Sequence, residues 1–322
     1  MKKFLLKSVL YFVLILLALE VFVRVLHLGK DNPARYIDEF DVEKWVPNQE
    51  GFSVTGNRKQ NFSEYHINNF GYNSYREFIP SYDKEEVALV GDSFIQGFHQ
   101  DYYDSLGKKI EKQLDSVEVY EFGYAGYDFA DQLHLVYKYK DMFDKIDHVV
   151  LGIRFRDDLL RGEYKPIYDR MRLESAMYKN ARKIKLLVYA QGIDILGSVK
   201  RFPGKVIDFL KGRKKTIKKV VDQPSMEDVK KKHLKFISNF ESLIEKYGYD
   251  KSRYVLLIDE TVTPQLFLNY LKKNNYKYID FGKSHNASKI APTLIYDQHW
   301  NNHGRELVSD LIANHIRKNR IN

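Results

Sequence analysis

The sequence predicts an α/β protein, a mostly parallel sheet covered by helices on both faces, behind an N-terminal apolar helix. Three observations predict it. Five short apolar runs, several rich in Val and Ile, recur along the chain: Glu86–Val90, Val117–Phe122, His148–Ile153, Tyr254–Ile258 and Tyr276–Phe281. Segments with helical periodicity alternate with them. A single long apolar stretch, Phe4–Leu28, precedes everything else. Strands that alternate with helices pair in parallel, because each helix carries the chain back across the sheet. Ligands of such sheets sit beyond the carboxyl ends of the strands.

The N-terminal stretch comes first. At about 1.5 Å rise per residue it is long enough to cross a hydrocarbon core of roughly 30 Å. Lys2, Lys3 and Lys7 precede its most apolar part, which predicts a cytoplasmic N-terminus and an extracytoplasmic main domain. A cleaved signal peptide is the competing reading; the stretch is long for one, and no A-x-A-like site follows it. Glu20 and Arg24 interrupt the span with i,i+4 spacing, so they can pair on one helix face. Either they form a pair near the outer interface with Arg24 snorkelling, or they mark a contact face for another membrane protein. Residues 1–28 are expected to anchor the chain, meeting the lipid bilayer through residues 4–28, and residues 29–84 to form a polar, aromatic-dotted lead-in.

Residues 85–322 carry the βα rhythm. Helical patterns cover Asp104–Leu114, Asp128–Phe143, Glu227–Tyr247, Pro264–Asn274 and Gly304–Lys318. The rhythm breaks between about 160 and 225, where the pattern is helical and increasingly basic and includes KRFPGKVIDFLKGRKKTIKKV (Lys200–Val220). This is either a solvated helical insertion or a basic amphipathic flap resting on anionic lipid or glycan.

Composition narrows the function classes. The 322 residues include no Cys, which excludes disulfides, thiolate metal sites and a Cys nucleophile. A formal net charge of +9 favours anionic partners. Zinc-finger spacing, RNP-like motifs and Walker loops are missing from the sequence, so nucleic acid is not expected among those partners. Aromatic content is high at 14%, with 24 Tyr, a composition that suits sugar-contacting surfaces but is not specific to them.

EVALVGDSFIQG, Glu86–Gly97, ends the first strand abruptly at Gly91-Asp92-Ser93. Glycine permits a tight turn. A serine just after it stands at the start of a helix, where free N–H groups can stabilise an oxyanion. Ser and Asp are equally ordinary N-caps, so the tripeptide alone leaves cap and nucleophile open. The G-x-S-x-G elbow is not met, since Ile95 stands two residues after Ser93. A serine nucleophile needs a base, and YDQHWNNHG (Tyr296–Gly304) offers one. There His299 can take the proton and Asp297 can orient the imidazole. Two other readings of this loop stand beside that one: a purely structural turn, and a metal site built on His299 and His303.

Gly91-Asp92-Ser93-Phe94 after a strand, with Asp297-x-His299-Trp300-Asn301 before a terminal helix, resembles the SGNH/GDSL hydrolase family. YEFGYAG, Tyr120–Gly126, is similar to the family's second block, and Val149–Leu160 (VVLGIRFRDDLL) to its third. INNFGYNSYRE in the lead-in resembles a segment of membrane-anchored members. The resemblance implies a three-layer α/β/α, flavodoxin-like parallel sheet. It implies Ser93 as nucleophile, His299 as general base and Asp297 as its orienting carboxylate. It also implies an oxyanion hole from the N–H groups of Ser93 and Gly126 together with position 157. The family usually carries Asn then Asp in the third block, whereas this chain has Asp157 then Asp158. An ionised carboxylate only accepts hydrogen bonds. Asp157 must therefore stay protonated, or Arg154 or Arg156 must replace it, or activity is weak. The short D-x-H-W-N spacing resembles the branch acting in bacterial polysaccharide O-acetylation.

The resemblance thus implies a membrane-anchored, extracytoplasmic serine esterase or O-acyltransferase acting on an acylated cell-surface glycan. No cofactor or metal is expected. A membrane-bound acyl-donor protein is the natural partner of the transferase version. The alternative is a catalytically weak or inactive glycan-binding or scaffolding protein on the same fold.

Overall fold

The computed structural model describes residues 1–56, 59–195 and 225–320. Among these, nine strands form: β1 (Arg35–Ile37), β2 (Glu43–Trp45), β3 (Glu50–Thr55), β4 (Asn61–His66), β5 (Glu85–Gly91), β6 (Val117–Gly123), β7 (His148–Gly152), β8 (Tyr254–Ile258) and β9 (Tyr278–Asp280). β5 to β9 make one five-stranded parallel sheet in the order β6-β5-β7-β8-β9. Counted within the sheet this is 2-1-3-4-5, the flavodoxin-like order, whose direction of growth reverses at the first strand, β5. Gly91 at the end of β5 lies opposite Gly123 of β6, and Val90 opposite Leu151 of β7.

The sheet is buried on both sides because its strands carry apolar residues at almost every position, and successive side chains point to opposite faces. Ala88, Val90, Tyr120, Phe122, Val149, Leu151, Leu256 and Ile258 meet the helices Phe129–Lys138, Met226–Tyr247 and Gln265–Lys273 in one core. Val87, Leu89, Val119, Val150, Val255, Leu257 and Ile279 face Leu106–Glu111 and Asn302–Asn319 in the other. The three layers predicted from the βα rhythm are therefore present. The segment Asp128–Phe143 is divided at Tyr139 into the helices Phe129–Lys138 and Lys140–Phe143.

The lead-in is more structured than its composition suggests. β1 pairs antiparallel with β2, and β3 and β4 form a second two-stranded sheet. Trp45, Tyr65, Ile67 and Tyr72 are buried in the first core. Much of the tyrosine content is likewise interior: Tyr72, Tyr120, Tyr124 and Tyr127 are among the largest fully buried side chains. Their hydroxyls are satisfied; Tyr72 and Tyr127 hydroxyls meet at 3.0 Å, and Tyr124 donates to Glu43 at 2.6 Å.

The chain divides into two compact units. One comprises Pro33–Glu50, Ser63–Tyr168 and Pro224–Asn322, and contains the parallel sheet. The other comprises the described residues of Met1–Asn32, Gly51–Phe62 and Asp169–Gln223. Its main element is the helix Lys2–Val25, long and apolar enough to cross a membrane, with a mean hydropathy of 2.3 over its most apolar window. Glu20 and Arg24 on this helix pair at 2.6 Å. Both are engaged by the chain itself. The Glu20 carboxylate accepts the backbone N–H groups of Lys185 and Leu186 at 3.0 and 2.7 Å, and Arg24 donates to the Lys183 carbonyl. The basic stretch Lys200–Val220 lies outside the described residues.

Candidate active site

Ser93 opens the short helix Ser93–Gln96 at the carboxyl end of β5, where the sheet order reverses. That helix rests on the end of β6. A Cβ on Gly123 would lie 2.1 Å from the Gln96 nitrogen, so only glycine admits this approach. The capping question is answered by the neighbour. The Asp92 carboxylate accepts the Phe94 N–H at 2.9 Å and so caps the helix. Ser93 Oγ instead lies 2.8 Å from His299 Nε2. The lead-in motif holds the same helix from the other end. Asn73 donates its side-chain amide to the Gln96 carbonyl at 2.8 Å, and Asn68 ties the preceding turn by accepting the Phe70 and Tyr72 N–H groups.

The histidine loop is shaped by four side chains and one backbone state. Asp297 Oδ1 accepts the His299 backbone N–H at 3.0 Å, which closes a tight turn over Gln298 in the left-handed region at φ 62°. The same oxygen lies 3.3 Å from His299 Nδ1. Trp300 is buried against Phe94 and Phe281, with ring centroids at 4.9 and 5.1 Å. Asn301 caps the helix Asn302–Asn319 by accepting the Gly304 N–H at 2.9 Å, and its amide donates to the Ala291 carbonyl at 2.7 Å. The predicted Ser93, His299 and Asp297 are thus brought together: His299 Nε2 is within hydrogen-bonding distance of Ser93 Oγ, and Nδ1 lies in ion-pair contact with Asp297 without a formed hydrogen bond. In that order, a base stands against a hydroxyl and a carboxylate stands behind the base, the arrangement that activates a serine.

The third block supplies charge rather than an amide. Arg154 follows β7, and its guanidinium lies 2.8 Å from Asp92, 3.5 Å from Asp157 and 3.9 Å from Asp158. Asp157 is exposed and paired with Arg154. Asp158 is buried and accepts the Arg154 N–H at 2.6 Å. Burial, and then the nearby Asp92 charge, push its carboxyl well above the usual range. Burial also raises Asp92, with Arg154 opposing the shift. Gly126 sits in the turn after β6 with φ 93°, a left-handed conformation that favours glycine. An apolar cavity of about 40 Å³ adjoins this region, its wall including Phe94, Ile153, Leu257, Phe281 and Trp300 together with Arg154.

Two residues of this region escape the sequence reading. Arg305 is fully buried and donates to the Phe94 carbonyl at 3.0 Å, which ties the serine helix to the last long helix. Burial lowers its guanidinium to about 10, opposed by Glu121. The other is His99, whose Nε2 lies 2.8 Å from Asp297 Oδ2. Its ring stacks on His299 at 4.0 Å between centroids, 20° from parallel. His99, Asp297 and His299 are close enough to be considered as metal ligands. His303 belongs to neither histidine's surroundings; it bonds Ser288 Oγ at 2.8 Å.

No protein-family model matches the chain, and no curated protein shows significant similarity to it. Solved structures do. A lipase/acylhydrolase from Enterococcus faecalis is 15% identical with a TM-score of 0.40, over 73% of this chain and 96% of the other. The psychrotrophic esterase EstA from Pseudoalteromonas sp. is 12% identical with a TM-score of 0.39, over 73% and 97%. A member of the lipolytic protein G-D-S-L family from Veillonella parvula DSM 2008 is 12% identical with a TM-score of 0.36, over 74% and 100%. At these scores the likeness adds no weight of its own, and the fold assignment rests on the strand order and register described above.

Proposed function

We propose that this chain is a serine esterase or O-acyltransferase, anchored in a bacterial cytoplasmic membrane by residues 4–28, with its main domain outside the cytoplasm. One observation carries the reading: at the switch point of the sheet His299 Nε2 lies 2.8 Å from Ser93 Oγ, with the Asp297 carboxylate 3.3 Å from the other ring nitrogen. Ser93 Oγ attacks an ester carbonyl while His299 Nε2 takes its proton. The tetrahedral intermediate collapses as His299 returns that proton to the leaving alcohol, and an acyl-enzyme forms on Ser93. Water or a sugar hydroxyl then gives its proton to His299 and attacks the acyl carbon; the second tetrahedral intermediate collapses as His299 returns that proton to the departing Ser93 Oγ, which releases the acid or the transferred ester. The oxyanion is held by the N–H groups of Ser93 and Gly126. Arg154 supplies the oxyanion donor that an asparagine amide would otherwise provide from position 157.

The substrate class is an acylated cell-surface glycan, and the small cavity beside Phe94 and Trp300 supports a short acyl group such as acetyl. For transfer, a membrane-bound acyl-donor protein delivers the acyl group. A second reading, a glycan-binding or scaffolding protein with little activity, is favoured by one observation: a carboxylate, Asp157, paired with Arg154 at 3.5 Å, stands where the resembled family has an amide donor. Labelling by a fluorophosphonate probe and turnover of p-nitrophenyl acetate separate the two. The enzyme reading expects both in the full-length protein in detergent and neither in Ser93→Ala. A folded wild-type protein that is neither labelled nor active overturns it in favour of the second reading.

A further inference from the structure

We propose that His99 is a positioning residue for the Ser93–His299–Asp297 site, acting through Asp297. The inference rests on the serine-esterase reading above and goes beyond it.

The argument starts from the two oxygens of Asp297. Oδ1 is occupied on the His299 side, by the backbone N–H at 3.0 Å and by Nδ1 at 3.3 Å. Oδ2 points away and is met by His99 Nε2 at 2.8 Å. With only Oδ1 held, the carboxylate could rotate about its last bond and carry its charge away from His299 Nδ1, which lies 3.3 Å from Oδ1. A donor on Oδ2 fixes the plane of the carboxylate and therefore the direction in which Oδ1 faces His299. The stack of His99 on His299 restrains the second degree of freedom, the tilt of the catalytic imidazole. His99 is placed by local structure: it follows Phe98, whose ring stacks on Tyr65 at 4.9 Å and whose carbonyl accepts Ser63 Oγ at 2.7 Å.

This arrangement has a charge requirement. When His299 takes the Ser93 proton it becomes a cation, and a second cation stacked on it would oppose the step. His99 must donate to Asp297 while neutral, through an Nε2–H tautomer. Its surroundings favour this state, since burial first and the neighbouring His299 second depress its imidazole to about 4.

The test compares steady-state kinetics of the full-length protein with two variants. His99→Phe keeps a ring against His299 and removes the donor. His99→Gln keeps a donor for Asp297 and removes the ring. His99→Phe is expected to lower kcat by about 10- to 100-fold with KM within about twofold, because substrate contacts are intact while the base is misaligned. His99→Gln is expected to recover a large part of that loss. In an Asp297→Ala background His99→Phe is expected to cost little more, since the residue acts through the carboxylate. Wild-type kcat in His99→Phe, or losses that multiply independently of Asp297, would overturn the proposal. Should His99→Phe fail to fold, His99→Ala, which removes both the donor and the ring, measured with and without Asp297→Ala decides the same question. Fluorophosphonate labelling of Ser93 in the wild type keeps the outcomes apart. An unlabelled wild type sinks the esterase reading itself, whereas a labelled wild type with unaffected His99 variants sinks only the positioning role.

Discussion

Arg154 reaches across the carboxyl ends of neighbouring strands to Asp92, the residue that directly precedes Ser93, at 2.8 Å. Three carboxyl groups surround this one guanidinium, and two of them, Asp92 and Asp158, are buried and shifted upward. Arg154 is also half exposed, 5.5 Å from the centroid of the Phe94 ring, and the proposed mechanism uses its charge at the oxyanion. Arg154→Leu is therefore expected to lower kcat by about 100- to 1000-fold, the usual cost of removing one oxyanion donor. Asp157→Asn should move activity the other way, because it releases Arg154 from one carboxylate and adds an amide donor. Paired measurements of kcat for the two variants check this; equal small effects would leave Arg154 with only a role in neutralising Asp92.

Asn301 links two functions in one side chain. Its carbonyl oxygen caps the helix Asn302–Asn319, and its amide bridges to the Ala291 and Thr293 carbonyls across the loop. Asn301→Ala is expected to destabilise the protein by about 1–2 kcal/mol through the lost cap and bridge. Since the loop also carries His299, kcat should fall more than KM rises. Urea unfolding and steady-state kinetics on the same preparation check both halves.

Acid sensitivity follows chiefly from two histidines. His315, on the last long helix, is held down to about 4 by burial and then by the positive groups His148, Lys277 and Lys318. His99 is depressed to a similar value. In the unfolded chain an imidazole titrates near about 6.5. Between those values the unfolded chain binds protons that the folded chain does not. Stability is thus fully present above about pH 6.5 and falls as pH drops toward about 4. His315→Gln removes one of these contributions, to which the lowered His134, His233 and His285 also add. Its urea midpoint should decline less than that of the wild type between about pH 7 and about pH 5.

The legible parts of this molecule are those whose burial leaves a mark on sequence. β5 to β8 are packed on both faces, so they read as continuous apolar runs such as Val87–Val90 and Tyr254–Ile258. Ser93, His299 and Asp297 are legible because each stands at a strand end or helix start with a distinctive neighbour, Gly91 or Trp300. The lead-in strands are not, since β1 and β2 have three residues each, too few to show a period-2 repeat. His99 gives no signal either. It lies in FHQDYYD (Phe98–Asp104), and its partner Asp297 is brought to it only by the return of the last loop to the edge of the sheet. Arg305 looks like an ordinary charge in the first turn of a helix, yet Phe94 and Glu121 enclose it.

The Glu20–Arg24 pair makes the last prediction. The helix Lys185–Gly192 has Ile184 at its N-cap, a side chain with no acceptor for the free N–H groups of the first turn. Glu20 supplies that acceptor from the apolar helix Lys2–Val25, and its negative charge suits a helix N-terminus. Arg24 completes the latch by donating to the Lys183 carbonyl that ends the preceding helix. Leucine at both positions would leave two N–H groups and one carbonyl without these partners, and the segment 169–195 should come loose from Lys2–Val25. Limited trypsin digestion of the full-length protein in detergent reads this directly, because the segment offers Arg170, Arg172, Arg182 and Lys185 as cleavage sites. The double Leu variant should be cut there several-fold faster than the wild type. Glu20→Gln, which keeps a neutral acceptor, should fall between them. An unchanged cleavage rate in the double variant would mean that the pair does not hold this segment, and would return it to the reading in which another membrane protein is its partner.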